Sequence, residues 1–200
     1  MEGEDRQAWR VIQGYVSAQL QSRLVAVATA TELGKADLLL TAAREFVRVG
    51  EIARRLSLDE ALVPTTSSHN LRAIVIGLRS QESLAVQRTR RFPRVHGDES
   101  IQLGLIQELV ELVGEGVHTV RFRQRAGRII MTIMNIELRP ELMVLGSRNP
   151  VAYALKETSL ASALGLALAR ECANQRLGIH LSHNALHVHF AIVTQLTLPL

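Results

Sequence analysis

Four of the seven histidines crowd the C-terminal end of the chain: His180, His183, His187 and His189. Imidazole titrates near neutrality, so such a cluster suits proton transfer or metal ligation. His187 and His189 alternate onto one face of an expected strand, and His183 is near enough in sequence to join them. A metal site of that kind normally recruits a cysteine or carboxylate as well. None lies nearby, so no metal is expected and the histidines read as polar residues on the wet face of an edge strand.

Arginine supplies most of the positive charge. Arg72, Arg79, Arg88, Arg90, Arg91 and Arg94 fall in one short stretch, within a chain of net charge +4 and pI near 10.0. Such a cluster attracts phosphates, and it is equally what a solvated basic face looks like. The lone cysteine, Cys172, excludes an internal disulfide and a multi-cysteine zinc site, and is most simply a small buried apolar residue.

The elements that must position these residues follow from periodicity. From Gln7 to Thr31, Trp9, Ile12, Val16, Leu20, Leu24 and Val27 recur at steps of three and four, the stripe of an amphipathic helix. Gly34 interrupts it, and short helical phrases are expected at Lys35–Leu40 and Gly50–Leu56, with a polar break at Thr41–Arg44. Thr65 to Ser68 offer N-caps for a helix carrying Leu71, Ile74, Val75 and Leu78, and Leu84–Val86 and Arg90–Val95 read as strands around a basic turn. Three helices followed by a small hairpin form the pattern of a winged helix. Beyond Gly97, a helix is expected over Ile101–Val113, an apolar segment at Ile129–Ile136, a short buried strand at Leu142–Leu145 and a long helix over Pro150–Asn174. Strands at Leu177–Leu181 and Leu186–Val193 complete the alternation, which argues α/β. The boundary between the two regions is expected at 97/98.

With 200 residues, 47% of them hydrophobic, the chain can bury a substantial core. No run approaches the roughly 18 apolar residues of a membrane span, and Met1 to Arg6 are charged rather than a secretory segment, so a cytoplasmic protein away from membranes is expected.

Two phrases carry a family likeness. Ile12-Gln13-Gly14-Tyr15-Val16, followed by Ala30-Thr31-Glu32-Leu33-Gly34-Lys35-Ala36-Asp37-Leu38-Leu39, resembles the opening of the acetylserotonin and caffeate type O-methyltransferases. Glu51-Ile52-Ala53 and Leu78 to Val86 continue the likeness in order. The resemblance implies a winged-helix-like dimerisation domain over residues 1–97, hence a homodimer, and a partial Rossmann-like, S-adenosylmethionine-binding region over 98–200. Anchored on Arg139-Pro140-Glu141-Leu142-Met143-Val144-Leu145, it places the glycine turn at Arg121 to Gly127, with Ala126 and Gly127 against the cofactor and Ser147 where a ribose-binding acid would stand. Gly114-Glu115-Gly116 is an alternative turn. His187, in a phrase resembling Leu-His-Asp-Trp, would be the general base that removes a proton from a small hydroxylated substrate.

Only one glycine stands in that turn, and Arg121 replaces an acid. Two further readings therefore accompany the methyltransferase. One is a non-catalytic dimerisation scaffold of the same fold. The other is a winged-helix DNA-binding regulator, with Ser67 to Arg72 opening the recognition helix and Arg88 to Arg94 as the wing.

Overall fold

The computed structural model describes residues 2–57, 65–87 and 92–193. Two long helices, α1 (Glu2–Glu32) and α2 (Ala36–Ser57), pack on each other as a hairpin. Gly34 turns the chain between them at φ +63°, a left-handed conformation that glycine adopts without a steric penalty. α2 runs unbroken through Thr41–Arg44 and Gly50, so the separate helical phrases expected there are one element. The hydroxyl of Thr41 bonds back to the carbonyl of Asp37, which lets a polar residue sit inside the helix.

The remaining elements build an α/β layer. After the short β1 (Ser68–Asn70) come α3 (Arg72–Arg79), β2 (Leu84–Val86), β3 (Arg94–His96) and α4 (Glu99–Leu112). Then follow the hairpin β4 (His118–Arg125) and β5 (Arg128–Met134), helices α5 (Pro140–Leu145), α6 (Pro150–Lys156) and α7 (Leu160–Asn174), and the hairpin β6 (Leu177–Ser182) and β7 (Ala185–Ala191). The main sheet has the order β2-β4-β5-β7-β6, while β1 pairs with β3 apart from it. Only β2 and β4 run parallel; β4–β5, β5–β7 and β6–β7 are antiparallel. The general α/β class thus holds, but the strands form a mixed sheet rather than the parallel sheet of a Rossmann-like region. Leu142–Leu145, expected as a strand, lies in α5, and the long helix expected from Pro150 is two helices parted before Ser159, whose hydroxyl caps α7 through the amide of Ser162.

The first 97 residues do not form a winged helix. β2 and β3 do not pair with each other, and Ser68–Asn70, expected to open a recognition helix, is a strand. The arginines at 88–91 lie outside the described residues. Leu71, Ile74, Val75, Leu78, Leu84 and Val95 share one core with residues as distant as Phe190, so a division at 97 would cut through a continuous interior.

That interior is pinned by a buried polar junction. Gln102 of α4 donates from Nε2 to the carbonyls of His96 and Gln175, each at 2.8 Å, and its Oε1 lies 2.9 Å from His69 Nε2. The side chain of Gln175 in turn accepts from the amide of Asp98. Satisfying these groups from within removes the cost of burying them unpaired.

A second cluster holds the hairpin to the sheet layer. Ile12 and Val16 of α1 and Val49, Ile52 and Leu56 of α2 meet Ala163, Leu166 and Ala167 of α7, Val144 of α5 and Ala154 of α6. Trp9 and Gln13 both donate to the carbonyl of Leu56, and Arg170 lies over the Trp9 ring at 5.2 Å. Arg55 Nη1 donates to both carboxylate oxygens of Glu108, at 2.9 and 3.0 Å, and its Nε donates to Glu51.

α7 can approach α5 closely because residue 165 has no side chain. A Cβ there would lie 2.5 Å from the Glu141 carbonyl oxygen and 2.9 Å from Val144 Cβ. Gly165→Ala should therefore destabilise the fold by about 1–3 kcal/mol despite alanine's better helix propensity, as overpacking does. Chemical denaturation measures this, and a variant as stable as wild type would contradict the packing.

Candidate functional site on the open face of the sheet

Strands β4 to β7 contain no aspartate or glutamate. Side chains alternate across a strand, and here the inner set is apolar: Val120, Ile129, Met131, Ile133, Leu177, Leu186, Val188 and Phe190 are all buried. The opposite set therefore faces outward. It brings together Arg121, Arg123 and Arg125 from β4, Arg128 and Thr132 from β5, His180 and Ser182 from β6, and His187 and His189 from β7.

Register arranges these residues in rows. Arg121 is opposite Thr132, Thr132 opposite His187, and His187 opposite His180. The next row runs Arg123, Ile130, His189, Gly178, and the last joins Arg125, Arg128 and Ala191. Arg176, one residue before β6, rims a depression with Arg128 and His189 over Gly178 and Ala191.

His187 sits between two hydroxyls. Thr132 Oγ1 lies 3.0 Å from its Nδ1 and Ser182 Oγ lies 3.1 Å from its Nε2, while its ring stacks on His180 at 5.8 Å. Desolvation, then the neighbouring His180, lowers the His187 pKa from its ordinary value. His189 is lowered by desolvation, then by Arg128 and the other two imidazoles. A serine within reach of an imidazole held by a third group has the outline of a nucleophile and its base. The outline lacks its acid: no carboxylate on these strands stabilises an imidazolium, and the surrounding guanidinium groups disfavour one. What the face offers instead is a concentration of cationic donors.

The residues expected to form a methyl-transfer site are not gathered. Ala126 and Gly127 make the tight β4–β5 turn, with φ of +46° and +72°, and the Gly127 carbonyl accepts from the amide of Ile192. That is a strand-to-strand turn, not a strand-to-helix loop around a cofactor. His187 is five positions along β7 from Ile192, so roughly 17 Å of extended strand separates it from the turn. Ser147 lies between α5 and α6, where its hydroxyl accepts from the amide of Asn149. Glycines 114 and 116 precede β4 rather than enclose a ligand. Among the described residues no group of three or more His, Cys, Asp or Glu side chains is placed to hold a metal ion, and Cys172 is buried and its thiol pushed up to about 12 by desolvation.

Sequence reasoning missed Arg121, Arg123, Arg125, Arg128 and Arg176. The signal was present: Arg-x-Arg-x-Arg over 121–125 is a strand presenting arginine on one face. Attention went to the arginines of 72–94, of which Arg94 is occupied in bonding the carbonyl and hydroxyl of Ser68.

No family model matches the chain, and no curated protein matches it. Solved structures do. The Acinetobacter baumannii histidine kinase AdeS is similar at a TM-score of 0.50 and 16% identity, over 90% of this chain and 96% of that one. A bacterial phosphotransferase aligns over 92% and 95%, at 11% identity and a TM-score of 0.36. The likeness to the kinase is one of fold. It overturns the O-methyltransferase resemblance and, with it, the activity, the scaffold of methyltransferase fold and the winged-helix regulator. The Leu-Gly-x-Ala-Asp-Leu-Leu phrase that carried the resemblance is the bend of a two-helix hairpin.

The two lowered imidazoles tie stability to pH. Because the folded protein resists protonating His187 and His189, the unfolded chain takes up protons first as pH falls below about 6.5. Stability should be level above that pH, decline below it, and level again once the folded imidazoles protonate. Denaturant titrations from about pH 7.5 to about 5 check this. The slope should flatten in a His187→Gln, His189→Gln double variant, and an unchanged slope would contradict the assignment.

Proposed function

We propose that the protein is a homodimeric, cytoplasmic signalling component of histidine-kinase-like fold that acts through assembly rather than through phosphoryl transfer of its own. The observation that carries this reading is the apolar stripe left uncovered on the outer part of the helical hairpin. Leu40 and Val47 of α2 are 53% and 68% exposed and stand seven residues apart, and Leu33, in the turn that precedes α2, is 58% exposed. On α1, Val11 and Val25 are equally exposed, with Ala18 midway between them. Seven-residue spacing is the seam of helices that pack side by side, and small residues such as Gly14, Ala36 and Ala43 let backbones approach closely. A second copy of the same hairpin supplies a matching stripe, and a four-helix bundle shelters both. No described helix is long and apolar enough to cross a membrane.

Kinase chemistry fits these residues poorly. All seven histidines fall at position 69 or later, so the hairpin carries no imidazole to receive a phosphoryl group.

Sedimentation analysis should give wild type twice the 22.1 kDa chain mass. Leu40→Glu with Val47→Glu, both at exposed positions, should give a monomer of unchanged helicity. A wild-type monomer, or a variant that still dimerises, would sink the assembly reading. Incubation with magnesium and ATP should yield no hydrolysis and no phosphorylated protein, and either activity would return the protein to the enzymes.

A further inference from the structure

The depression on the open face of the sheet has a construction of its own. Its floor is Gly178 and Ala191, and its rim is Arg128, Arg176 and His189, enclosing about 180 Å³. The floor depends on the missing side chain, because a Cβ at 178 would stand 3.3 Å from His189 Cβ. Among the described residues no carboxylate lies within ion-pair distance of Arg128 or Arg176. Two guanidinium groups and an imidazole thus converge on one hollow without a counter-charge.

Arg176 is held there at a conformational cost. It follows the C-cap of α7 and takes φ +55°, the left-handed position where a helix usually places glycine. Strain in a non-glycine residue at a rim of matched charge is a mark of use. One row away, Arg121 Nε is buried without a hydrogen-bond partner, a further unsatisfied cationic donor on the same face.

We propose that this hollow is a binding site for a small phosphate-bearing anion, gripped by Arg128 and Arg176 with His189 beside them. Guanidinium forks match the paired oxygens of a phosphate group, and a site lined by one sign of charge concentrates such ligands. The hollow is about the size of one or two phosphate groups. An extended polymer would instead need the whole face, and the aromatic platforms on which nucleic-acid bases stack are absent from it: Phe122 packs against the core and Phe190 is buried. The proposal does not depend on the dimer.

The test is calorimetric titration at constant ionic strength with inorganic phosphate and with pyrophosphate, supported by NMR of the histidine ring protons. Wild type should saturate with both probes, pyrophosphate the tighter, and the His189 resonances should shift. Arg128→Gln and Arg176→Gly should each weaken binding tenfold or more. Arg176→Gly keeps the left-handed backbone, so it should melt at a higher temperature while losing the ligand, which separates loss of a contact from loss of the fold. Equal affinity in both variants, or no saturation in wild type, would overturn the proposal. So would tight binding of an oligonucleotide or an acidic peptide that pyrophosphate does not displace, since the face would then serve a macromolecule.

Discussion

Helix α7 is apolar on nearly every side, and the rest of the chain is arranged so that most of those sides are buried. Leu168 and Cys172 enter the core under the sheet, while Ala163, Leu166 and Ala167 face the helical hairpin. A helix that is hydrophobic all round must be covered on two faces, and here one cover is the β6–β7 side of the sheet and the other is the base of α1 and α2. Gly165 permits the third close contact, with α5. The hairpin is therefore anchored mainly at its base, where Val49, Ile52 and Leu56 are buried, and in its outer half every residue but Ala30 is partly or largely exposed. Two helices alone bury too little apolar surface to be self-sufficient, so the anchoring of the base and the exposure of the outer stripe are two results of one constraint.

How legible this was depends on the range of the interaction. The amphipathic stripe of α1, the helix at 101–113 and the strands near 177–181 and 186–193 were readable, because each is a local period that the fold preserves, whereas the apolar segment at 129–136 had no assignable period and proves to hold β5. Leu142 to Leu145 was misread as a strand because a short apolar run has no period of its own; Pro140 at the first turn starts a helix there. Thr65 to Ser68 offered plausible caps, but His69 just beyond them is claimed by Gln102, thirty-three positions away, and becomes a strand residue. The family resemblance failed for a related reason. Leu33-Gly34 to Leu39 encodes a turn between two helices, and many unrelated folds need one.

The candidate site shows the same limit. His187 and His189 do share an outward face as expected, but on the interior strand β7 rather than an edge strand, and His183 lies in the turn between β6 and β7. Their company could not be read. Arg121 to Arg128 come from a hairpin some sixty residues earlier, and Arg176 joins from a helix end. Only register across β4, β5, β7 and β6 turns scattered arginines into one basic surface. Its charge is uncompensated because those strands lack acids altogether, a feature of composition that was visible once the strands were known to be neighbours.

The architecture thus offers two uncovered surfaces of opposite character, an apolar stripe at one end and a cationic sheet face at the other. The central claim is that the outer hairpin is incomplete by itself, whereas its base is secured by α7. Hydrogen exchange at two protein concentrations tests it most directly. Amides of 49–56 and of α7 should exchange at the same slow rate in dilute and concentrated solution, while those of 20–47 should slow markedly on concentration. Equal protection of 20–47 at both concentrations would contradict the account.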